Sequence, residues 1–186
     1  MNTILYKLLS ADGRACNSGT AWWSLPADGK PGEWMPSISD PKLCSRGYHG
    51  VSIEYVLNWR GGDTLWEMEV RGAADVSPEK TAAESARLIR RIPGWNDKNL
   101  RLFACDCAEH VLPIYLDSSP ENDGMALMLA IHVAREYAHG RGDAQDVDAA
   151  RSAAWAARSA AWTAQAEEKE WQINRLCEYL QTKKGT

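Results

Sequence analysis

The chain has 186 residues, of which 45% are hydrophobic, and its formal net charge of −4 argues against a general nucleic-acid-binding protein. No apolar run approaches the roughly 20 residues of a membrane-spanning helix, and the first residues lack the basic and apolar regions of a secretory signal. Five cysteines, an odd number without the spacing of a disulfide scaffold, are typical of a reducing compartment. These features predict a cytoplasmic protein.

Residues 1–94 are predicted to form a small mixed α/β unit. An apolar run at residues 3–9 predicts a first strand, and Asp12-Gly13 after it predicts a tight turn. Residues 16–47 contain eight of the sixteen glycines and prolines of this half, which indicates a long irregular loop.

Three tryptophans, Trp22, Trp23 and Trp34, lie in this loop. Because large aromatic rings are unfavourable in water, we expect them to hold the loop on the unit or to contact a partner.

A short helix and two further strands complete the first unit. Ser52 is placed to cap a helix over residues 53–59. Alternation of apolar and polar residues predicts a strand at 64–70, and a last strand is predicted at 86–92.

Residues 95–186 are predicted to form a helical unit that packs on the first unit. Apolar residues at helical spacing predict a helix over residues 96–112, with Pro113 ending or kinking it. A second helix is predicted over residues 120–139, with Gly140 closing it.

A seven-residue repeat marks the longest predicted helix, over residues 143–182. Residues 149–155 and 156–162 both read Ala-Ala-Arg-Ser-Ala-Ala-Trp, which places Trp155 and Trp162 within roughly 20° of each other on the helix. A face of this kind packs in a core or against a second copy of the chain. The repeat therefore keeps a homo-oligomer, and a self-associating structural protein, among the hypotheses.

The excess of four negative charges lies wholly in residues 96–186, and no Lys or Arg occurs between Arg101 and Arg135. Five carboxylates lie in this interval: Asp106, Glu109, Asp117, Glu121 and Asp123. Such a patch would attract a basic partner. The alternative interpretation is an acidic surface that only favours solubility.

Cys105, Cys107 and His110 form the tightest cluster of metal-capable side chains. On a helix, however, the two cysteines point about 200° apart, and structural zinc requires four ligands. We therefore expect buried packing of the cysteines and no metal site.

Glu67 and Glu69 are two residues apart on the predicted strand, so they share a face with their Cα atoms roughly 7 Å apart. Such a pair can carry out acid–base chemistry, although a row of solvent-facing carboxylates has the same spacing. The sequence contains no nucleophile elbow and no phosphate-binding glycine loop, so a non-enzymatic protein is favoured.

Two segments resemble known families. Cys44-Ser45-Arg46-Gly47-Tyr48-His49, followed by the strand that contains Glu67 and Glu69, resembles an uncharacterised domain of phages and bacteria. The segment Leu102-Phe103-Ala104-Cys105-Asp106-Cys107-Ala108-Glu109-His110-Val111-Leu112-Pro113, with the Ala/Arg/Trp-rich helices after it, resembles a group of helical immunity proteins. These resemblances imply a phage or mobile-element accessory protein that acts in a bacterial host by binding another protein.

A looser resemblance is to the ADP-ribosyltransferases. It is based on Tyr6 in the first strand, the Gly-Tyr-His turn before a short helix, and Glu-x-Glu on the following strand. The resemblance implies NAD as the cofactor, with Tyr48 and His49 as nicotinamide-side contacts, Glu69 as the catalytic carboxylate and Glu67 beside it.

The sequence therefore predicts an α+β protein with a non-enzymatic main function. We expect an immunity-type or anti-defence inhibitor, of the kind that anti-CRISPR proteins represent, without cofactor or metal. It would present the acidic segment 106–123 and the aromatic loop 22–34 to a protein partner, such as a basic nucleic-acid-binding complex, without contacting nucleic acid or a membrane. The alternatives are an NAD-using ADP-ribosyltransferase-like enzyme and a self-associating structural protein.

Overall fold

A computed structural model of the chain describes residues 4–16, 20–59, 62–118, 124–142 and 166–182. Strands and helices both occur in these ranges, so the predicted α+β class is confirmed. The chain divides into two compact units, residues 1–95 with 181–186, and residues 96–180. None of the helices in the described ranges has the length and apolar character that crossing a membrane would require.

The first unit is a closed antiparallel sheet. Its four strands are β1 (Leu5–Leu9), β2 (Tyr48–Val51), β3 (Thr64–Val76) and β4 (Lys80–Arg91). They follow the order β1-β2-β4-β3, and the sheet closes because β1 pairs with both β2 and β3. Tyr6 is the residue at which this closure occurs, since it lies opposite both Val51 and Glu67.

The sequence predicted β1 but neither β2 nor the full length of β3 and β4. The predicted strands at 64–70 and 86–92 cover only the parts of the hairpin near β1, whereas the outer parts extend over residues 71–76 and 80–85. These outer parts are stabilised by pairing with each other along the hairpin, an interaction that an alternation pattern within one strand does not reveal.

The core of this unit contains residues from all four strands and from the loop. Its buried members are Leu5, Leu9, Trp23, Tyr48, Trp66, Met68, Ala86 and Leu88. The rings of Trp23 and Tyr48 meet edge to face, with their centroids 5.5 Å apart. The expectation that the loop is held on the unit is therefore confirmed for Trp23.

The long loop also binds the sheet through its backbone. Three of its N–H groups donate to carbonyls of β4, in the pairs Gly32 to Leu88, Met35 to Ala86 and Ile38 to Glu84, at 2.8, 2.8 and 2.9 Å. These bonds satisfy polar groups of an irregular segment that would otherwise need water.

The other two tryptophans of the loop are more exposed than Trp23. Trp34 is half-buried and lies between the guanidinium groups of Arg71 and Arg87, at 4.2 and 4.6 Å from its ring centroid. Trp22 is 56% exposed and stacks on Arg14.

The predicted short helix is present as a 3-10 helix over Ile53–Asn58. The predicted side-chain cap by Ser52 is wrong, because its hydroxyl makes no capping hydrogen bond. Instead the Ser52 carbonyl accepts from the N–H of Tyr55 at 3.1 Å, the i to i+3 bond that characterises a 3-10 helix.

The second unit is helical. Its described helices are α1 (Asp97–Ser118), α2 (Gly124–Ala138) and α3 (Ala166–Leu180). Of the two alternatives predicted for Pro113, ending the first helix is wrong, because α1 continues to Ser118 with Pro113 inside it. Gly140 follows α2 with a φ of 76°, so its predicted role in closing that helix is confirmed.

The helices pack through small and medium apolar side chains. Cys105 and Ala108 of α1 meet Ile131 of α2 in a buried cluster, and Leu176 and Leu180 of α3 are also buried. The expectation that Cys105 and its neighbour Cys107 pack in the interior is therefore confirmed.

Two predicted features lie outside the described residues. One is the repeat with Trp155 and Trp162, and the other is the segment with Glu121 and Asp123. The homo-oligomer hypothesis, which depends on the repeat, stays a prediction.

Replacing Leu88 by Ala should lower the free energy of unfolding by about 2–5 kcal/mol, because this residue is fully buried at the centre of β4. Leu57→Ala is the matched control. Leu57 is 47% exposed, so its change should stay near 0.5 kcal/mol. Urea unfolding followed by tryptophan fluorescence measures both values, and equal losses would contradict the assignment of the core.

Candidate functional site

The three described helices meet at the carboxylate of Asp106, which is only 8% exposed. It accepts hydrogen bonds from Arg135 Nη1 of α2 at 2.8 Å, and from Arg175 Nε and Nη2 of α3 at 2.7 and 2.6 Å. The hydroxyl of Tyr179, also on α3, donates a fourth bond at 2.7 Å. The negative charge of Asp106 is thus compensated within the unit.

The titration of this cluster reflects the same contacts. Burial by itself would raise the pKa of Asp106, but the hydrogen bonds from Tyr179, Arg135 and Arg175 outweigh it and hold the pKa below its usual value. Burial, and then the bond to Asp106, raises the pKa of Tyr179 to about 12. Asp106 is therefore a charged acceptor at neutral pH, and Tyr179 is a neutral donor.

Each of the two arginines also binds an exposed carboxylate. Arg135 Nη2 lies 2.7 Å from Glu109, and Arg175 Nη1 lies 2.5 Å from Glu178. The side chains of Glu109 and Glu178 are 54% and 63% exposed, so they carry the negative charge of the cluster to the surface.

A groove of about 420 Å³ lies over this cluster. Its lining residues are Asp106, Glu109, His110, Trp171, Asn174, Arg175 and Glu178. The rings of His110 and Trp171 stack in parallel with their centroids 3.8 Å apart. His110 Nδ1 lies 2.6 Å from a carboxylate oxygen of Glu168, and Glu168 is only 7% exposed. This contact fixes the imidazole ring on its buried side.

An exposed apolar row lies on α2. Met125, Met128 and Leu129 have the i, i+3, i+4 spacing of one helix face and are 81%, 61% and 61% exposed. Exposed apolar groups at this spacing are typical of contact surfaces.

The acidic segment predicted for partner binding has two kinds of carboxylate. Asp106 belongs to the interior of the unit, whereas Glu109 and Asp117 are exposed. The charge count of the sequence missed Arg135 and Arg175, because both lie outside the interval that has no basic residue. A helical signal did exist for α3, since Trp171, Arg175 and Tyr179 recur at four-residue spacing and share a face.

In the first unit, the Cys-x-x-Gly-Tyr-His segment forms a tight turn closed by His49. The N–H of Cys44 donates to His49 Nε2 at 3.1 Å, and His49 Nδ1 binds the carbonyl of Gly47 at the same distance. Cys44 and Gly47 have φ angles of 61° and 113°, which a sharp reversal requires. Both imidazole nitrogens are therefore used by the turn itself.

Tyr48 and His49 line a cavity of about 480 Å³ in the closed-sheet unit, and Lys7 and Lys80 line it with them. Burial lowers the pKa of Lys7 to about 8. Burial, and then the positive charge of Lys7, lowers the pKa of His49.

The predicted glutamate pair does not line this cavity. Glu67 is bound to the guanidinium of Arg90, and Glu69 lies 2.7 Å from the guanidinium of Arg87. The structure thus brings Tyr48 and His49 together but places Glu67 and Glu69 in ion pairs with β4. The hypothesis of NAD chemistry stays a prediction.

Within the described ranges, no group of three or more His, Cys, Asp or Glu side chains is arranged to hold a metal ion. Burial raises the pKa of the Cys107 thiol to about 12 and that of Cys105 above its usual value. Both thiols therefore stay protonated at neutral pH.

Residues 95–177 match the model of a family described as "Imm-5 like putative immunity protein". This range contains Asp106, Glu109, Arg135 and Arg175. The match confirms the resemblance of the C-terminal region to immunity proteins. The resemblance of the N-terminal segment to a phage and bacterial domain stays a prediction. Comparison with curated proteins and with solved structures gives no match.

Replacing Asp106 by Asn should lower the free energy of unfolding by about 3 kcal/mol, because it leaves the half-buried guanidinium groups of Arg135 and Arg175 without their shared counter-charge. Asp117→Asn, at an exposed position of the same helix, should change it by less than about 0.5 kcal/mol. Urea denaturation at pH 7 measures both.

The pH dependence of this difference has a definite sign. Since folding lowers the pKa of Asp106, its stabilisation is present above the unfolded value of about 3.9 and is lost as the pH falls through the folded value. The difference between the unmutated chain and Asp106→Asn should shrink below about pH 4. A difference that is constant down to pH 2.5 would show that the charge of Asp106 is not what stabilises the unit.

The partly buried ammonium of Lys7 predicts the opposite dependence. Folding lowers its pKa from 10.5 to about 8, so the folded state bears a desolvation cost below pH 8 that disappears as the pH rises to 10.5. Stability relative to Lys7→Met should therefore rise by about 3 kcal/mol over this range. The comparison with Lys7→Met removes effects common to both proteins, such as the titration of Cys16 and His49. Parallel pH profiles for the two proteins would contradict the burial of this charge.

Proposed function

We propose that residues 96–180 form a non-enzymatic protein-binding module of the immunity type, which neutralises a partner protein by occupying its surface. The match of residues 95–177 to an immunity-protein family is the observation that carries this proposal. The module's finer role is inhibition of a basic, nucleic-acid-binding protein of a bacterial host, as an anti-defence protein would do.

The arrangement around Asp106 supports binding better than catalysis. A general base needs a carboxylate with a free lone pair facing the substrate. Asp106 instead accepts four hydrogen bonds from Arg135, Arg175 and Tyr179. These bonds connect the three described helices. Its chemistry is that of a structural anchor beneath a surface.

The groove above the anchor has the features of a contact site. The stacked rings of His110 and Trp171 offer a rigid aromatic surface, and rings of this kind are enriched among residues that contribute most to binding energy. Glu109 and Glu178 extend from the cluster to the solvent around these rings. A partner with lysine or arginine side chains around an apolar residue would complement this surface.

The partner can be isolated with the tagged chain from the host and then tested against surface variants. Changing both Glu109 and Glu178 to Lys should reduce the association rate at least tenfold and weaken its dependence on salt, because long-range attraction sets the rate of charged encounters. Surface plasmon resonance at 50 and 300 mM NaCl measures both effects.

A matched control changes Glu33 and Glu79 to Lys. These residues are exposed carboxylates of the other unit, and the control alters the net charge by the same amount. Equal slowing by both double variants would show that only net charge matters. Unchanged binding by the groove variant, with loss on Met128→Asp, would place the contact on the apolar row of α2 and contradict the groove as the site.

A further inference from the structure

The cavity of the closed-sheet unit is lined by a half-buried lysine that has no counter-ion among the described residues. Lys7 projects from β1 and donates one hydrogen bond, from Nζ to the carbonyl of His49 at 3.0 Å. Its ammonium also lies 5.4 Å from the ring centroid of Trp23. Within the part of the chain that the structure describes, no carboxylate pairs with it. An ammonium that is largely removed from water and has so few partners is unfavourable unless something else neutralises it.

The composition of the cavity wall is strongly biased towards positive charge and hydrogen-bond donors. Lys7 and Lys80 both line it, whereas none of its described lining residues is an Asp or a Glu. Lys80 Nζ lies 2.8 Å from the thiol sulfur of Cys44 and 4.9 Å from the ring centroid of Trp59. The charges of both lysines act on the imidazole of His49. The cavity is therefore a region of positive potential, where an anion would be attracted.

Two indole groups add aromatic surface to the cavity wall. The Nε1 atoms of Trp23 and Trp59 are buried, and neither has a hydrogen-bond acceptor among the described residues. Trp23 and Trp59 are among the residues that line the cavity, as are Leu8, Ile38 and Val51. Because these two Nε1 atoms are covered by protein, the indoles offer the cavity aromatic surface and not hydrogen-bond donors.

We propose that this cavity binds a small organic anion that carries an aromatic ring, as a carboxylate or a phosphate monoester. The anionic group lies against the ammonium of Lys7, which it neutralises, and Lys80 adds a second attraction. The ring packs on the apolar and indole surface. A volume of about 480 Å³ is within the usual range of small-molecule sites. This site belongs to the unit of residues 1–95, so it does not depend on the function proposed for the helical unit.

The test uses three probes that share one ring system: 1-naphthoate, 1-naphthyl phosphate and the neutral 1-naphthamide. Titration calorimetry at pH 7 should show that at least one anion binds at least tenfold more tightly than the amide. The indole N–H signals of Trp23 and Trp59, assigned with Trp23→Phe and Trp59→Phe variants, should shift in NMR spectra as that anion is added. The preferred anion distinguishes a carboxylate site from a phosphate site.

Charge variants identify the ammonium that is responsible. Lys7→Met should weaken binding of the preferred anion at least tenfold and leave binding of the amide unchanged, while Lys80→Met should weaken it less. Lys42→Met is the matched control, because Lys42 is an exposed lysine whose ion pair is with Asp40. Its affinity should equal that of the unmutated chain.

The fold is expected to tolerate Lys7→Met, since the change removes a buried charge and keeps the length of the side chain. If this variant does not fold, the comparison of anions with the amide and the indole shifts in the unmutated chain decide the question. The proposal is overturned if the amide binds as well as both anions, or if millimolar anion leaves both indole signals in place. Undiminished anion binding by a folded Lys7→Met protein would overturn it as well.

Discussion

The carboxylate of Asp106 is the constraint on which the helical unit depends. A charge with 8% exposure must be compensated, and the compensation comes from Arg135 on one helix and from Arg175 and Tyr179 on another. These bonds fix the distances of α2 and α3 from α1. The groove, the stacking of His110 on Trp171 and the exposure of the outer carboxylates all follow from that arrangement.

The arginines of this cluster give the surface its charge pattern. Each uses some of its donors on Asp106 and another on an exposed glutamate, Glu109 or Glu178. The planar guanidinium has several donors in fixed directions, so it can serve an interior and a surface carboxylate at once. One buried acid is therefore linked to two surface acids that a partner can reach.

The half-buried charge of the closed-sheet unit has a different environment. The Lys7 ammonium has one carbonyl and one indole ring as partners. The strand that carries it, β1, pairs along both of its edges. A side chain of such a strand must point to one side of the sheet or the other, and Lys7 points to the side of the cavity. The family match covers the helical unit, and the cavity belongs to the sheet unit. Variants of each can therefore be studied separately.

Local patterns in the sequence were enough to predict the helices and strands that depend mainly on neighbouring residues. The apolar run of β1, the helical spacing of α1 and α2 and the glycine after α2 were readable, because each depends on neighbours within a few residues. The four residues of β2 could not be predicted, since they are held by pairing with β4, about thirty positions away in the sequence. The resemblance of the C-terminal region to immunity proteins was also visible in the sequence, as the family match confirms.

Only the tertiary structure decided what the charged residues do. The sequence showed Asp106 in an interval without basic residues, and its partner Arg175 is 69 positions away. The pairing that cancels its charge arises when three helices pack, and electrostatic energy depends on distance in space and on burial, not on distance along the chain. For the same reason a lysine in an apolar strand gave no sign of the cavity, which forms only when residues of β1, β2, β4 and the long loop surround it.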